Sequence, residues 1–84
     1  MATVNIDIAT MAFPPNTPVK QGDTVTWTNK MSMDHTVTSD PDGATFDSGE
    51  LKQSGSFSYT FSSAGSFPYH CEIHARMRGT ITVS

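Results

Sequence analysis

Alternation is the feature that most limits what this chain can become. In Thr24-Val25-Thr26-Trp27-Thr28-Asn29, Val25 and Trp27 fall on one face and the three threonines on the other. Phe57, Tyr59 and Phe61 repeat the pattern, as do Val4, Ile6 and Ile8 against Asn5, Asp7 and Ala9. A period of two over a short window predicts half-buried strands. His35-Thr36-Val37-Thr38, Phe67 to Cys71 and Thr80 to Val83 read as further strands. Between them lie turn signals: the proline-broken stretch Phe13 to Pro18, Gln21-Gly22-Asp23, Ser39 to Ala44, Ser48-Gly49 and Ser63-Ala64-Gly65. About seven or eight short strands, with turns roughly every 8–12 residues and no convincing helix, predict an all-β sandwich or barrel. Trp27, Phe57, Tyr59 and Phe61 are its expected core residues.

The chain has 84 residues, which predicts one domain over 1–84. A core this small often needs a covalent or metal staple. With a single cysteine the staple is not an internal disulfide, which leaves a metal or a very efficient core. Five Lys+Arg against eight Asp+Glu give a net charge of −3 and no basic footprint, so nucleic acid is not an expected partner. No apolar run reaches the roughly 18–20 residues of a membrane span. Met1-Ala2-Thr3-Val4 leads straight into a strand pattern with no secretory leader. Composition leaves two settings open: the cytosol, or a mature exported form with an added start methionine.

The chemistry gathers in Cys71-Glu72-Ile73-His74-Ala75-Arg76-Met77, just before the last strand. Thiolate and thioether are soft donors, and they select copper, zinc or iron–sulfur chemistry over magnesium or calcium. Iron–sulfur clusters need more cysteines, and zinc rarely takes methionine. Two His, one Cys and a weak axial Met form the donor set of blue-copper electron-transfer sites. The second histidine is either His35 or His70. His70 neighbours Cys71, and neighbours on a strand point to opposite faces, so the expected ligands are His35, Cys71, His74 and Met77.

These residues carry a resemblance. "GDTVTWTN" at 22–29, "DHTV" at 34–37, "SYTFSSAGSFPYHC" at 58–71 and "CEIHARMRG" at 71–79 resemble the cupredoxins, amicyanins most, with plastocyanins and pseudoazurins further off. The resemblance implies a Greek-key β-sandwich with one type 1 copper ion on those four residues, serving as a small mobile one-electron carrier and not as an enzyme. It implies a periplasmic or otherwise extracytoplasmic monomer, its signal peptide removed, with a redox donor and acceptor docking transiently near His74. His35 is the expected buried ligand and His74 the partly exposed one, free to leave reduced copper and take a proton in mild acid. The chain departs from the family where Asp34 replaces a frequent Pro and Thr36 a frequent Asn. The Thr36 hydroxyl is then expected to tie the two ligand loops with a shorter reach.

Other features carry less. Met31 and Met33 flank His35 and suit either an apolar docking patch or copper acquisition. "DPDGATFDSGE" at 40–50 superficially resembles a calcium loop, but its glycine is misplaced and Pro41 breaks the spacing, so it reads as an acidic turn. Arg76 and Arg78 either shape docking or solvate the loop. A copper chaperone, store or sensor is the alternative function on the same ligands. A Cys/His hydrolase is disfavoured, since nothing suggests an oxyanion hole or an orienting third group.

Overall fold

Seven strands and no helix make up the described part of the chain, which in this computed structural model is residues 2–84. Met1, at the head of the first expected strand, lies outside it. The strands are β1 (Thr3–Ile8), β2 (Thr17–Val19), β3 (Thr24–Asn29), β4 (Thr38–Ser39), β5 (Ser56–Thr60), β6 (Gly65–His70) and β7 (Arg78–Val83). They form two sheets, one ordered β1-β3-β5 and the other β2-β7-β6-β4. Up to β6 each successive strand joins the opposite sheet, which makes a Greek-key sandwich.

Register follows the alternation. β1 runs parallel to β3 with Ile6 beside Trp27, and β5 runs antiparallel to β3 with Phe57 beside Trp27. Slipping any of these strands by one residue would turn its apolar set to solvent, which fixes the pairing. Trp27 is fully buried, stacked against Phe46 and Phe57 and meeting Tyr69 edge-on at 5.4 Å between centroids. Pro18 sits in β2, an edge strand, where a missing N–H is tolerated.

Two expectations need correction. Phe57 and Tyr59 are half-buried and pack onto the core from its margin, because β5 is the edge of a three-stranded sheet; Phe61, just past that strand, is buried. The strand expected over 35–38 is reduced to an isolated bridge between His35 and Leu51, followed by the two residues of β4. The intervening amides go elsewhere: Thr36 N–H to the Cys71 sulfur at 3.4 Å and Val37 N–H to Ser48 Oγ at 2.8 Å. With its donors so used, the segment has no ladder to build.

β6 and β7 form an antiparallel hairpin paired from Gly65↔Val83 to His70↔Arg78. Its closing loop is 71–77. Gly79 lets the hairpin seat on the core: a Cβ there would stand 2.7 Å from the Pro14 carbonyl oxygen and 2.8 Å from the Tyr69 ring.

Candidate metal centre

Three of the four expected donors come from the hairpin loop. Cys71 N–H donates to the Met77 carbonyl at 3.0 Å, one step beyond the last strand pair, and Met77 N–H donates to the His74 carbonyl at 2.9 Å. The loop is therefore a tight turn whose first residue, last residue and midpoint carry Cys, Met and His. Cys71 and Met77 are fully buried, and His74 is partly exposed.

The fourth donor arrives from β3. Asn29 is fully buried at the end of that strand. Its Nδ2 donates to the Met33 and Leu51 carbonyls, both at 2.8 Å, and its Oδ1 accepts from Met31 N–H at 2.9 Å. One side chain thus holds the 30–34 loop, and reciprocal amide bonds between His35 and Leu51 deliver the histidine into the interior.

His35, Cys71 and His74 offer donor atoms that all lie within 4.8 Å of one another. Cys71 Sγ stands 4.0 Å from His35 Nδ1 and 3.8 Å from His74 Nδ1. These separations are long for hydrogen bonds but suit two donors sharing an ion. With metal–sulfur and metal–nitrogen bonds of about 2.3 and 2.0 Å, atoms roughly 110–130° apart about the ion stand roughly 3.5–3.9 Å from each other. His35 supports the same reading. It is 0% exposed, its Nε2 has no partner among the described residues, and its Nδ1 meets only the sulfur. Burial, with His74 nearby, holds its pKa below the ordinary histidine value. The ring is therefore kept neutral, as a metal ligand must be. These residues fit a soft site with one thiolate, and three of the four expected donors lie together.

His70 is placed apart. Its Nδ1 meets Asp40 Oδ1 and its Nε2 lies 3.3 Å from Glu72 Oε1. The Asp40 hydrogen bond, outweighing burial, raises its pKa. A ring flanked by two carboxylates has no free lone pair to offer, and it stands outside the group of three gathered donors.

The substituted positions flanking His35 acquire roles. Thr36 Oγ1 accepts the Glu72 N–H at 2.8 Å and does tie the two ligand loops. Asp34 pairs with Lys52 at 2.8 Å, at the surface. The large hydrophobic residues exposed among those described are Met11 (42%), Met33 (42%) and Ile73 (45%). Ile73 adjoins His74, Met33 lies two residues before His35, and Met11 lines a cavity of about 400 Å³ with His74, Ala75, Arg76 and Met77. Met31 instead packs against the core. Sequence reading missed Met11, because nothing in "ATMAFPP" announces that the loop folds toward residue 74.

Comparison with known proteins places this arrangement. A family model described as copper binding proteins, plastocyanin/azurin family, matches residues 1–84. The chain is 39% identical to an amicyanin of Paracoccus denitrificans over 82 residues, covering 93% of this chain and 63% of that protein, so it spans less than two thirds of that relative's length. It is 37% identical to a plastocyanin of Scenedesmus fuscus, covering 92% of this chain and 91% of that one. Among solved structures, an oxidized amicyanin mutant superposes with a TM-score of 0.89 at 37% identity, over 98% of this chain and 82% of the other. A Cu(I) amicyanin mutant superposes with a TM-score of 0.86 at 36% identity, with the same coverage. The soft donor set on its hairpin loop and these likenesses agree: the chain belongs to the plastocyanin/azurin family of copper-binding proteins.

Proposed function

We propose that residues 1–84 act as a type 1 copper protein, a mobile one-electron carrier and not an enzyme, with His35, Cys71, His74 and Met77 as the ligands of one copper ion. The observation that carries this is the convergence of Cys71, His35 and His74 within 4.8 Å at one end of the sandwich, in a chain of this family. Copper bound there supplies one-electron cycling between Cu(II) and Cu(I).

The chain's own residues set how that cycling proceeds. Cys71 supplies the thiolate, and its sulfur accepts the Thr36 N–H, which draws off charge. His35 is fixed by Asn29 and Leu51 and shielded from water. His74 is the partly exposed donor and gives the electron its exit. Met77 closes the turn as the weak ligand. A frame held by strand ends and backbone bonds changes little between oxidation states, which keeps reorganisation small. Redox donor and acceptor dock transiently on the apolar rim of Met11, Met33 and Ile73, and the monomer works in an extracytoplasmic, periplasmic setting. The complete burial of Cys71 and His35 argues against the alternative of a copper chaperone, store or sensor, which must release its cargo readily.

The test is the visible spectrum on adding copper(II) to reduced apo-protein, beside Cys71→Ser. An intense blue band in the wild type, absent in the variant, together with a reversible reduction potential, is the expected result. A colourless or weakly coloured product overturns the ligand set. A blue site without a reversible potential overturns the carrier role and leaves the copper-handling one.

A further inference from the structure

We infer that Asp47, at the end of the acidic turn, is a positioning residue for this centre, acting through Thr38 and Thr36 on the backbone of the Cys71–His74 loop. The inference rests on the ligand set proposed above.

A chain of hydroxyl groups connects them. Glu72 N–H donates to Thr36 Oγ1 at 2.8 Å, Thr36 Oγ1 and Thr38 Oγ1 lie 3.0 Å apart, and Thr38 Oγ1 donates to Asp47 Oδ1 at 3.1 Å. Each hydroxyl has one proton, and a carboxylate oxygen only accepts. Thr38 must therefore give its proton to Asp47. Its oxygen is then free to receive the Thr36 proton, and the Thr36 oxygen to receive the Glu72 amide. Every donor in the series points away from the loop and toward the carboxylate. Reversing the middle bond would leave Thr38 and Asp47 facing each other as two acceptors. Hydrogen bonds aligned in this way polarise one another, so the carboxylate strengthens the hold on Glu72, which follows Cys71 and precedes His74 by two residues. Thr36 and Thr38 are almost fully buried, so no water stands ready to replace the bond between them.

The turn is shaped to present Asp47. Thr38 and Asp47 form a β-bridge, flanked by Ser39 N–H to the Phe46 carbonyl and Ser48 N–H to the Val37 carbonyl. Gly43 has φ +78°, and a Cβ there would stand 3.0 Å from Asp47 Oδ2 and 3.1 Å from Thr38 Cγ2. The glycine leaves room for the carboxylate to reach the threonine. Asp47 also accepts Gly49 N–H at 3.0 Å, which keeps its Oδ1 in place.

The test compares Thr38→Val, Asp47→Ala and the conservative Thr38→Ser by two readouts. One is hydrogen exchange at the Glu72 amide, measured on apo and copper-loaded protein. The other is the rate of copper loss to a chelator, with the position of the visible band. Thr38→Val and Asp47→Ala are expected to speed Glu72 exchange about fivefold and copper loss about tenfold, and Thr38→Ser is expected to restore both. Asp47→Ala also loses the Gly49 bond and Thr38→Val does not, so agreement between them isolates the chain. Asp47 is exposed, and its variant carries the test if Thr38→Val fails to fold. Folded variants with Glu72 exchange within twofold of wild type overturn the inference. A wild type with no blue band overturns the ligand set instead, and apo-protein exchange still judges the hydroxyl chain.

Discussion

The two ends of β3 are stitched by the same device and finish in different states. At its start, Asp23 accepts Ala2 N–H at 2.9 Å and Lys20 N–H at 3.0 Å. Around it Gly22 N–H reaches the Phe61 carbonyl and Gln21 N–H the Ser84 carbonyl, so the termini and turns close on one another. At its far end, Asn29 accepts the nearby Met31 N–H, while the Cys71 sulfur and Thr36 Oγ1 accept amides from distant segments. There, however, the His35 ring and the Cys71 sulfur face each other at 4.0 Å. The Asp23 end is completed by the chain alone. The Cys71 end brings three donor atoms within 4.8 Å of one another, a set that suits an ion.

The comparison makes graded predictions. The largest effect is expected from copper itself: loading at about 1,000 times the dissociation constant adds about 4 kcal/mol, visible as a higher melting temperature. Amide exchange should slow at 35–38 and 71–77 and hardly change at Ala2, Lys20 and Gly22. Equal protection at both ends would break the distinction. Next comes Asp23→Ala, which should lower the melting temperature of apo and loaded protein alike. The Lys20 and Ala2 N–H groups hold the Asp23 carboxyl below its ordinary 3.8. A lowered folded-state pKa means its stabilisation is complete above the unfolded value and disappears as pH falls through the folded one. The melting difference between wild type and Asp23→Ala should therefore persist at neutral pH and close in strong acid; a difference unchanged by acid would show that the charge is not what holds that end. The smallest effect belongs to Lys52→Gln. The Lys52–Asp34 pair lies at the copper end, but Lys52 is largely exposed, and such pairs contribute little. No measurable change in melting is expected, and a clear drop would mean that the His35 loop leans on this pair.

What the sequence made legible divides along the same line. Trp27 and its strand, the tight turn of 71–77 and the turning of His70 away from Cys71 were readable because each follows from local geometry: period two, a fixed spacing, opposite faces. The half-burial of Phe57 and Tyr59 was not, since it depends on β5 having no neighbour on one side. Nor was the broken strand at 35–38, whose amides are claimed by Cys71 and Ser48 from far along the chain. Asp47 read as part of an inert turn. The available signal was Thr36 and Thr38 on one face of a short segment, two hydroxyls in need of an acceptor, but Asp40, Asp42 and Asp47 all follow within ten residues of Thr38 and local spacing does not choose among them.

The placement of His35 and Cys71, 36 residues apart in sequence, has a consequence for the unfolded chain. An ion gripped by both is a reversible crosslink, joining the middle of the polypeptide to its last hairpin. Closing a loop of that length removes entropy from the denatured ensemble worth on the order of 4 kcal/mol if the ion stays attached, by the chain-entropy estimate used for disulfides. A polypeptide with one cysteine thereby gains the kind of restraint that usually takes two, through a bond set by metal supply and not by oxidation.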